Sequence, residues 1–482
     1  VLRAWCGVAQ RVYIWDYVTN FQHLLSLHPN FHSLRADLRL LRDAGARGVF
    51  LQGYPQRGTS FAALHAYAMG RCLWNPGRDY FDEARAFLAA YYGDGAAPCL
   101  WRMIEALHRP PAGGFHLSLY RHPHQGTFAA AGLAAAERHL QRARAASGGG
   151  AAPRRLGEVA LWMDFTRMAA APAVAYTPGL LRIRAAGADA AARYGRVRRE
   201  TRARGIRRIC EFPQSMNDLA VAWGWSVRDR DLPLAVLENE RVRVEISPEL
   251  NGAVCALLDK RTGIDLLCKP DPRILAYPYM TGIIEGVIAE EGRALGFRAF
   301  DRWRVTASGP GRLALRLGLG RGLWLEREIT LLGDAPGIRV RSVLCNRSAK
   351  PQRVAPHGFA LYRAGRLDDV RFYKRDAGGA ARDLRNGMRA GTNQEQWVNL
   401  SGREAPRREW GFFNAELGLG LSESFNRAIA FCGSNGHLDT QHILTEMKAR
   451  PAALPPGGRL AWDRTFRLLH RAPDRRGGLA RR

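Results

Sequence analysis

Three aromatic rings and a carboxylate fall within five consecutive positions near the start of the chain, "YIWDY", Tyr13 to Tyr17. A strand that packs into a core alternates apolar and polar residues and rarely sets an acid among aromatics. In a sugar-binding wall the same residue types have separate tasks. A ring offers a pyranose face a flat apolar contact with a polar tip, and a carboxylate accepts hydrogen bonds from hydroxyls. Asn20 just downstream, and Gln52 and Tyr54 in "FLQGY", supply further groups of that kind. Strand parity sets Tyr13 and Trp15 to one side and Asp16 to the other, while Tyr17 to Asn20 run into the next loop. The plainer reading of Asp16 is structural, a carboxylate capping a loop or paired with an arginine.

Elements must hold these groups in place. "RVYIWDY" reads as a strand; "SLRADLRLLRDAG" repeats Leu34, Leu38 and Leu41 at helical spacing and stops at Gly45. "RGVFLQG" is a second short strand, and "SFAALHAYAMGRCLW" a helix with Phe61, Leu64 and Ala68 on one side. Strand, helix, strand and helix with short joints argue for βαβ units and a parallel sheet. From residue 79 to 228 the pattern is helical, long and rich in Ala and Arg, with no strand signal; this predicts a helical bundle. From 229 to 472 short alternating strands such as "RVRVEIS", "LWLEREITL" and "GIRVRSVLCN" predict an antiparallel β-sandwich. Residues 473–482 read as a disordered tail.

The formal charge of +28 invites a nucleic-acid reading, but of 72 basic residues only five are Lys, beside abundant Ala, Gly and Pro. That bias fits a GC-rich coding sequence. The densest run, "RYGRVRRETRARGIRR", holds one aromatic, Tyr194, so a solvated helix face is favoured over a nucleic-acid platform. A basic surface would favour acidic partners, including uronic-acid or sulfated glycans. The eight cysteines show no C-x-x-C pair and read as buried free thiols, with no metal site and no cofactor motif. His116, His122 and His124 lack a flanking acid or Cys to complete a metal site. No apolar run approaches the ~20 residues of a membrane span. No signal peptide is visible in "VLRAWCGVAQ", and localisation is left open between a secreted or periplasmic parent and others.

The segments "YIWDYVTNF", "HPNF", "DAGARGVFLQG" and "FAALHAYAMGRCLWNP" together resemble a family of bacterial glycoside-hydrolase-like proteins, domain of unknown function 4838. Some of its members act as endo-β-N-acetylglucosaminidases, and it looks related to α-glucuronidases and β-hexosaminidases. The resemblance implies that residues 1–78 are the last two βα units of a (β/α)₈ barrel, whose active site lies at the C-terminal strand ends. Six strands would then precede Val1, and the chain reads as the C-terminal portion of a glycoside hydrolase. Its partners would be a glycan and the missing barrel half in cis. The general acid would lie upstream of Val1, and the substrate's acetamido group would be the nucleophile. Asp16, Trp15, Tyr17, Asn20, Gln52 and Tyr54 would form a wall of the sugar pocket. Leu51 stands where many relatives are expected to carry Glu. Three pieces, "ISPELNGAVCALLDKRTGIDLL", "LEREITLLGDAPGIRVRSVLCNRSAKP" and "LPPGGRLAWDRTFRLL", resemble galactose-mutarotase-like domains, in which His357 and Glu446 would be a proton-transfer pair. Two further readings stand beside the hydrolase, a non-catalytic carbohydrate-binding or scaffolding protein and an Arg-rich nucleic-acid binder.

Overall fold

The computed structural model describes residues 1–53, 58–110, 117–119, 123, 126–171, 174–185, 187–210, 228–269, 282–290, 292–297, 301–366, 369–375, 381–384, 396–401, 406, 408–437 and 442–473. The chain divides into two units, Val1–Ala173 with Ile183–Arg230, and Val174–Arg182 with Asp231–Arg482. Apart from residue 473, the tail expected to be disordered lies outside the described residues.

The first unit opens with a short helix α1 (Leu2–Val8) that buries no residue. Strand β1 (Tyr13–Tyr17), helix α2 (Phe31–Asp43) and strand β2 (Gly48–Gln52) follow, and the two strands pair in parallel. Helix α2 buries Phe31, Leu34 and Leu41. It ends where Gly45 turns left-handed, at φ 88°. There Gly45 N–H reaches the Arg42 carbonyl and Ala46 N–H that of Leu41, each at 3.0 Å. Helices α3 (Ala62–Trp74) and α4 (Tyr80–Tyr92) come next, α4 being started by Asp79, whose carboxylate accepts the Phe81 N–H at 2.9 Å. Three more follow, α5 (Ala97–Leu107), α6 (Ala130–Ala145) and α7 (Ala152–Ala170), with α8 (Ala190–Ala203) later in the chain. Helix α7 buries Leu156, Val159, Trp162 and Phe165, and Trp162 donates its indole N–H to the Gly58 carbonyl.

One expectation is corrected here. The segment 79–228 is not free of strands, because β3 (Val174–Thr177) and β4 (Leu180–Ile183) form a hairpin. Both strands are only four residues long, too short for alternation to register, but Thr177-Pro178-Gly179 is a turn signal, with Gly179 at φ 78°. Most of the hairpin belongs to the second unit.

That second unit is two large antiparallel sheets. In one, Ile283–Ala289 lies between Gln352–Arg363 and Ala253–Asp259, with Val242–Ser247 beyond. In the other, Arg459–Leu469 is the middle strand, with Leu323–Leu331 and Gly337–Asn346 on one flank and Leu419–Phe425 on the other. The alternating residues singled out from sequence fill the space between them. Val242, Val244 and Ile246 share one core with Leu323, Leu325, Ile329, Ile338, Val340 and Leu344.

Charge is buried in that core as well. Arg464 and Glu423 are at most 1% exposed, and Arg464 Nε donates to Glu423 Oε1 at 2.7 Å. Its other arm reaches across to Glu285 of the facing sheet at 3.3 Å. Ser342 donates to Glu285, and Trp410 Nε1 to Glu423 at 3.2 Å. Gly358 sits so near the guanidinium that a Cβ there would overlap it. Arg327, also buried, donates to the carbonyls of Glu285 and Gly252 and lies over the Trp303 ring.

Taken as a whole the chain is a mixed α/β protein dominated in its second half by antiparallel sheet. In the first unit, β1 and β2 are the only parallel strand pair among the described residues.

Candidate functional site

Strand β1 gives its two sides different roles. Tyr13, Trp15 and Tyr17 are 67%, 65% and 41% exposed, while Ile14 and Asp16 between them are half-buried. The register sets Trp15 opposite Phe50 and Tyr17 opposite Gln52, so β2 adds Phe50, 58% exposed, to the same side. The Trp15 and Phe50 rings meet edge to face at 5.2 Å. Trp15 Nε1–H donates to Gln52 Oε1 at 2.8 Å, which fixes the indole against the amide. Gly48 lies under Tyr13, where a Cβ would come within 2.8 Å of the ring. The result is an aromatic platform, rings held by register with one amide among them.

The sequence-predicted residues divide around it. Trp15, Tyr17 and Gln52 come together on the platform. Asp16 does not. It lies on the opposite side with Leu51, its register partner, and its Oδ1 accepts the N–H of Tyr17 at 2.8 Å. It neighbours Asp37 of α2, whose carboxyl is raised above the ordinary range by burial and then by the Asp16 charge. Asn20 is 3% exposed, and its Oδ1 accepts the N–H groups of Gln22 and His23, the work of a turn residue. Tyr54 lies outside the described residues. The platform residues missed from sequence are Tyr13 and Phe50; the period-2 parity that separates Trp15 from Asp16 marks them.

Four histidines that the sequence reading passed over lie near one another in this unit. His108 accepts the Phe31 N–H on Nε2 at 2.9 Å and donates from Nδ1 to the Ile104 carbonyl at 2.7 Å, so both nitrogens are committed to the neutral ring. His65 Nδ1 lies 2.8 Å from the Tyr80 hydroxyl. His32 packs edge to face on His108. Burial, then the neighbouring histidines, push His28 down to about 3. His65 falls to about 4 for the same two causes. His108 also falls to about 4, through burial, partly offset by its bond to Ile104. No group of three or more His, Cys, Asp or Glu among the described residues could hold a metal ion. His116, His122 and His124 lie outside them.

The second unit does bring His357 and Glu446 together. Nε2 and Oε1 are 2.7 Å apart, with Phe297 and Phe359 rings packed on the imidazole. Burial lowers the His357 pKa against the opposing pull of Glu446. Such a pair can pass a proton, but it is 5% exposed at the histidine. The arginine run on α8 does not present a single open row. Arg193 is buried among Glu137, Asp164 and Asp189, and Arg196 pairs with Asp164. All eight cysteines are free, six of them buried and Cys6 and Cys99 half-buried. No helix among the described residues is long and apolar enough to cross a membrane.

A family model described as Domain of unknown function (DUF4838) matches residues 1–105, the part that carries the aromatic platform and most of the histidine group. No curated protein matches the chain. Solved structures give remote likenesses. A TPR-domain containing protein from Parabacteroides distasonis is 14% identical, with 51% of this chain and 48% of that one covered at a TM-score of 0.40. The chain thus spans about half the length of that protein. A galactose mutarotase-like protein from Clostridium acetobutylicum is 10% identical over 49% of this chain and 95% of its own, TM-score 0.37. A putative aldose 1-epimerase from Escherichia coli K12 is 9% identical over 49% and 99%, TM-score 0.36. Likenesses this remote carry no functional weight here.

Proposed function

We propose that the chain serves a carbohydrate-processing protein, as the C-terminal portion of a glycoside hydrolase acting on complex glycans, with the aromatic platform as a wall of its sugar site. The observation that carries this is the one-sided exposure of Tyr13, Trp15, Tyr17 and Phe50, with the Gln52 amide fixed among them. Four large rings left open on one side of a two-stranded sheet cost solvation, and stacking on pyranose rings is one use that recovers it. The substrate class is an N-acetylhexosamine-containing glycan, cleaved by the substrate-assisted route. The proton donor comes from elsewhere, since Asp16 faces α2 and the platform itself carries no carboxylate. The free edge of β1 would pair with the preceding strands of a barrel, the partner in cis that this reading requires.

The test is binding of N-acetylglucosamine oligomers to the full chain, followed by tryptophan fluorescence, for the parent sequence, Trp15→Ala and Asp16→Asn. Trp15→Ala is expected to weaken binding by about tenfold, the worth of one stacked ring. Asp16→Asn should leave it unchanged. Binding without hydrolysis when the preceding barrel strands are supplied would favour the non-catalytic carbohydrate-binding alternative. Equal binding by the parent and Trp15→Ala would remove the platform from the reading altogether.

A further inference from the structure

We propose that the exposed side of helix α3, with the arginines around its C-terminal end, is a docking groove for a carboxylate-bearing polysaccharide, a polyuronate strand. This groove is separate from the aromatic platform and needs no sugar to bind there.

Tyr67, Gly70, Arg71 and Trp74 follow one another at the i, i+3, i+4, i+7 spacing of a single helix side. Trp74 is 92% exposed and Tyr67 40%. Between the two rings is Gly70, in a helix interior where glycine is the poorest ordinary residue. A Cβ built on it meets nothing within 4 Å, so the helix backbone is open to an incoming chain at that point. The four residues line an open cleft of about 650 Å³. A second cleft of about 180 Å³ adjoins it, sharing Pro76 and Arg78.

The charge of this place is lopsided. Arg35, Arg39, Arg42, Arg47, Arg71 and Arg78 line the two clefts. Among the described residues three carboxylates touch them, Asp43, Asp79 and Glu83; the arginine ends of these pairs are exposed, while Asp79 is half-buried and Glu83 buried. Arg47 is exposed and has no carboxylate partner among the described residues. The guanidinium ends of these pairs are solvated, so an incoming carboxylate can share them at little cost while Asp79 and Glu83 keep their partners. The guanidinium fork suits a carboxylate in two-point contact. Flat rings beside it suit the apolar face of a pyranose. A polyuronate offers both along one strand. A nucleic acid asks for a larger uncompensated positive charge than six arginines against three acids provide, because its affinity rests on phosphate neutralisation.

The experiment titrates the full chain with an oligogalacturonate, a neutral cello-oligosaccharide and a single-stranded oligothymidylate of matching charge, by calorimetry at two salt concentrations. The oligogalacturonate is expected to bind, the neutral oligomer at least about tenfold more weakly. Gly70→Leu starts from a Cβ in open space and replaces a poor helix residue, so its melting temperature should hold or rise while oligogalacturonate affinity falls about tenfold. Trp74→Ala should lose a similar factor, whereas Trp15→Ala should lose none, which separates this groove from the platform. Absence of oligogalacturonate binding by the parent chain would overturn the proposal. So would parent-like binding by Gly70→Leu and Trp74→Ala, or equal or tighter binding of the oligothymidylate or the cello-oligosaccharide.

Discussion

Two buried groups of titratable side chains, one in each unit, behave in opposite ways. In the first, burial drives His28, His65 and His108 to the neutral form, and no carboxylate among the described residues opposes it. In the second, Arg464 is just as buried but stands between Glu423 and Glu285. Burial alone would lower its pKa; the two carboxylates outweigh that and hold it above the ordinary range. Arg327, whose partners are mostly carbonyls, is pulled down by burial to about 10 despite the Glu285 charge. Removing water neutralises a group that has no counter-charge and fixes the charge of one that does.

The largest effect should come from breaking the second arrangement. Arg464→Met strands Glu423 and Glu285 in the core and is expected to cost about 3–5 kcal/mol, read as an earlier denaturant midpoint of the sheet unit. Adding Glu423→Gln and Glu285→Gln should recover much of it; no recovery would mean that packing, not charge, makes Arg464 indispensable.

Next in size is the pH response of the first unit. The folded-state pKa values of the three histidines lie below the unfolded value of 6.5, so their contribution is complete above that pH. It is lost as pH falls from 6.5 toward about 4, and further for His28. A drop from 6.5 to about 4 is worth at most about 3 kcal/mol for one such group. Hydrogen exchange across this window should therefore rise in α2, α3 and α5 before it rises in the strands around Arg464. His357 in the second unit shifts the same way, so a small acid response there is expected too. Equal acid lability of both units would contradict the contrast.

The smallest effect sharpens it at an intermediate degree of burial. Asp16→Asn removes the like charge beside Asp37 and should leave stability within about 0.5 kcal/mol. A carboxyl titration by NMR should show the Asp37 pKa moving only part of the way down, since burial is the larger cause of its rise. Full return to the ordinary value would assign the shift to Asp16 instead.

What could be read from the sequence followed periodicity. "RVRVEIS" and "GIRVRSVLCN" alternate cleanly because one face of each meets the core, and those residues are the core. The stop of α2 at Gly45 was legible from residue type alone. The β3–β4 hairpin was not, because four-residue strands carry too little alternation to stand out from Ala-rich flanks. At the candidate site, strand parity separates two residues that proximity in the chain joins. Asp16 is adjacent to Trp15 in sequence and on the other side of the sheet in space. The histidine group was invisible for a different reason. His28, His65 and His108 come from separate elements, and only tertiary packing brings them together.

The free cysteines have a practical consequence. Cys72 is buried in the first unit, and Cys255, Cys268 and Cys432 in the second. Burial pushes Cys255 and Cys268 up to about 12, far from the thiolate that alkylating reagents need. Each unit therefore carries its own silent clock. A pulse of iodoacetamide followed by peptide mapping would mark a thiol only when the surrounding unit opens, timing the two openings separately in one unmodified chain.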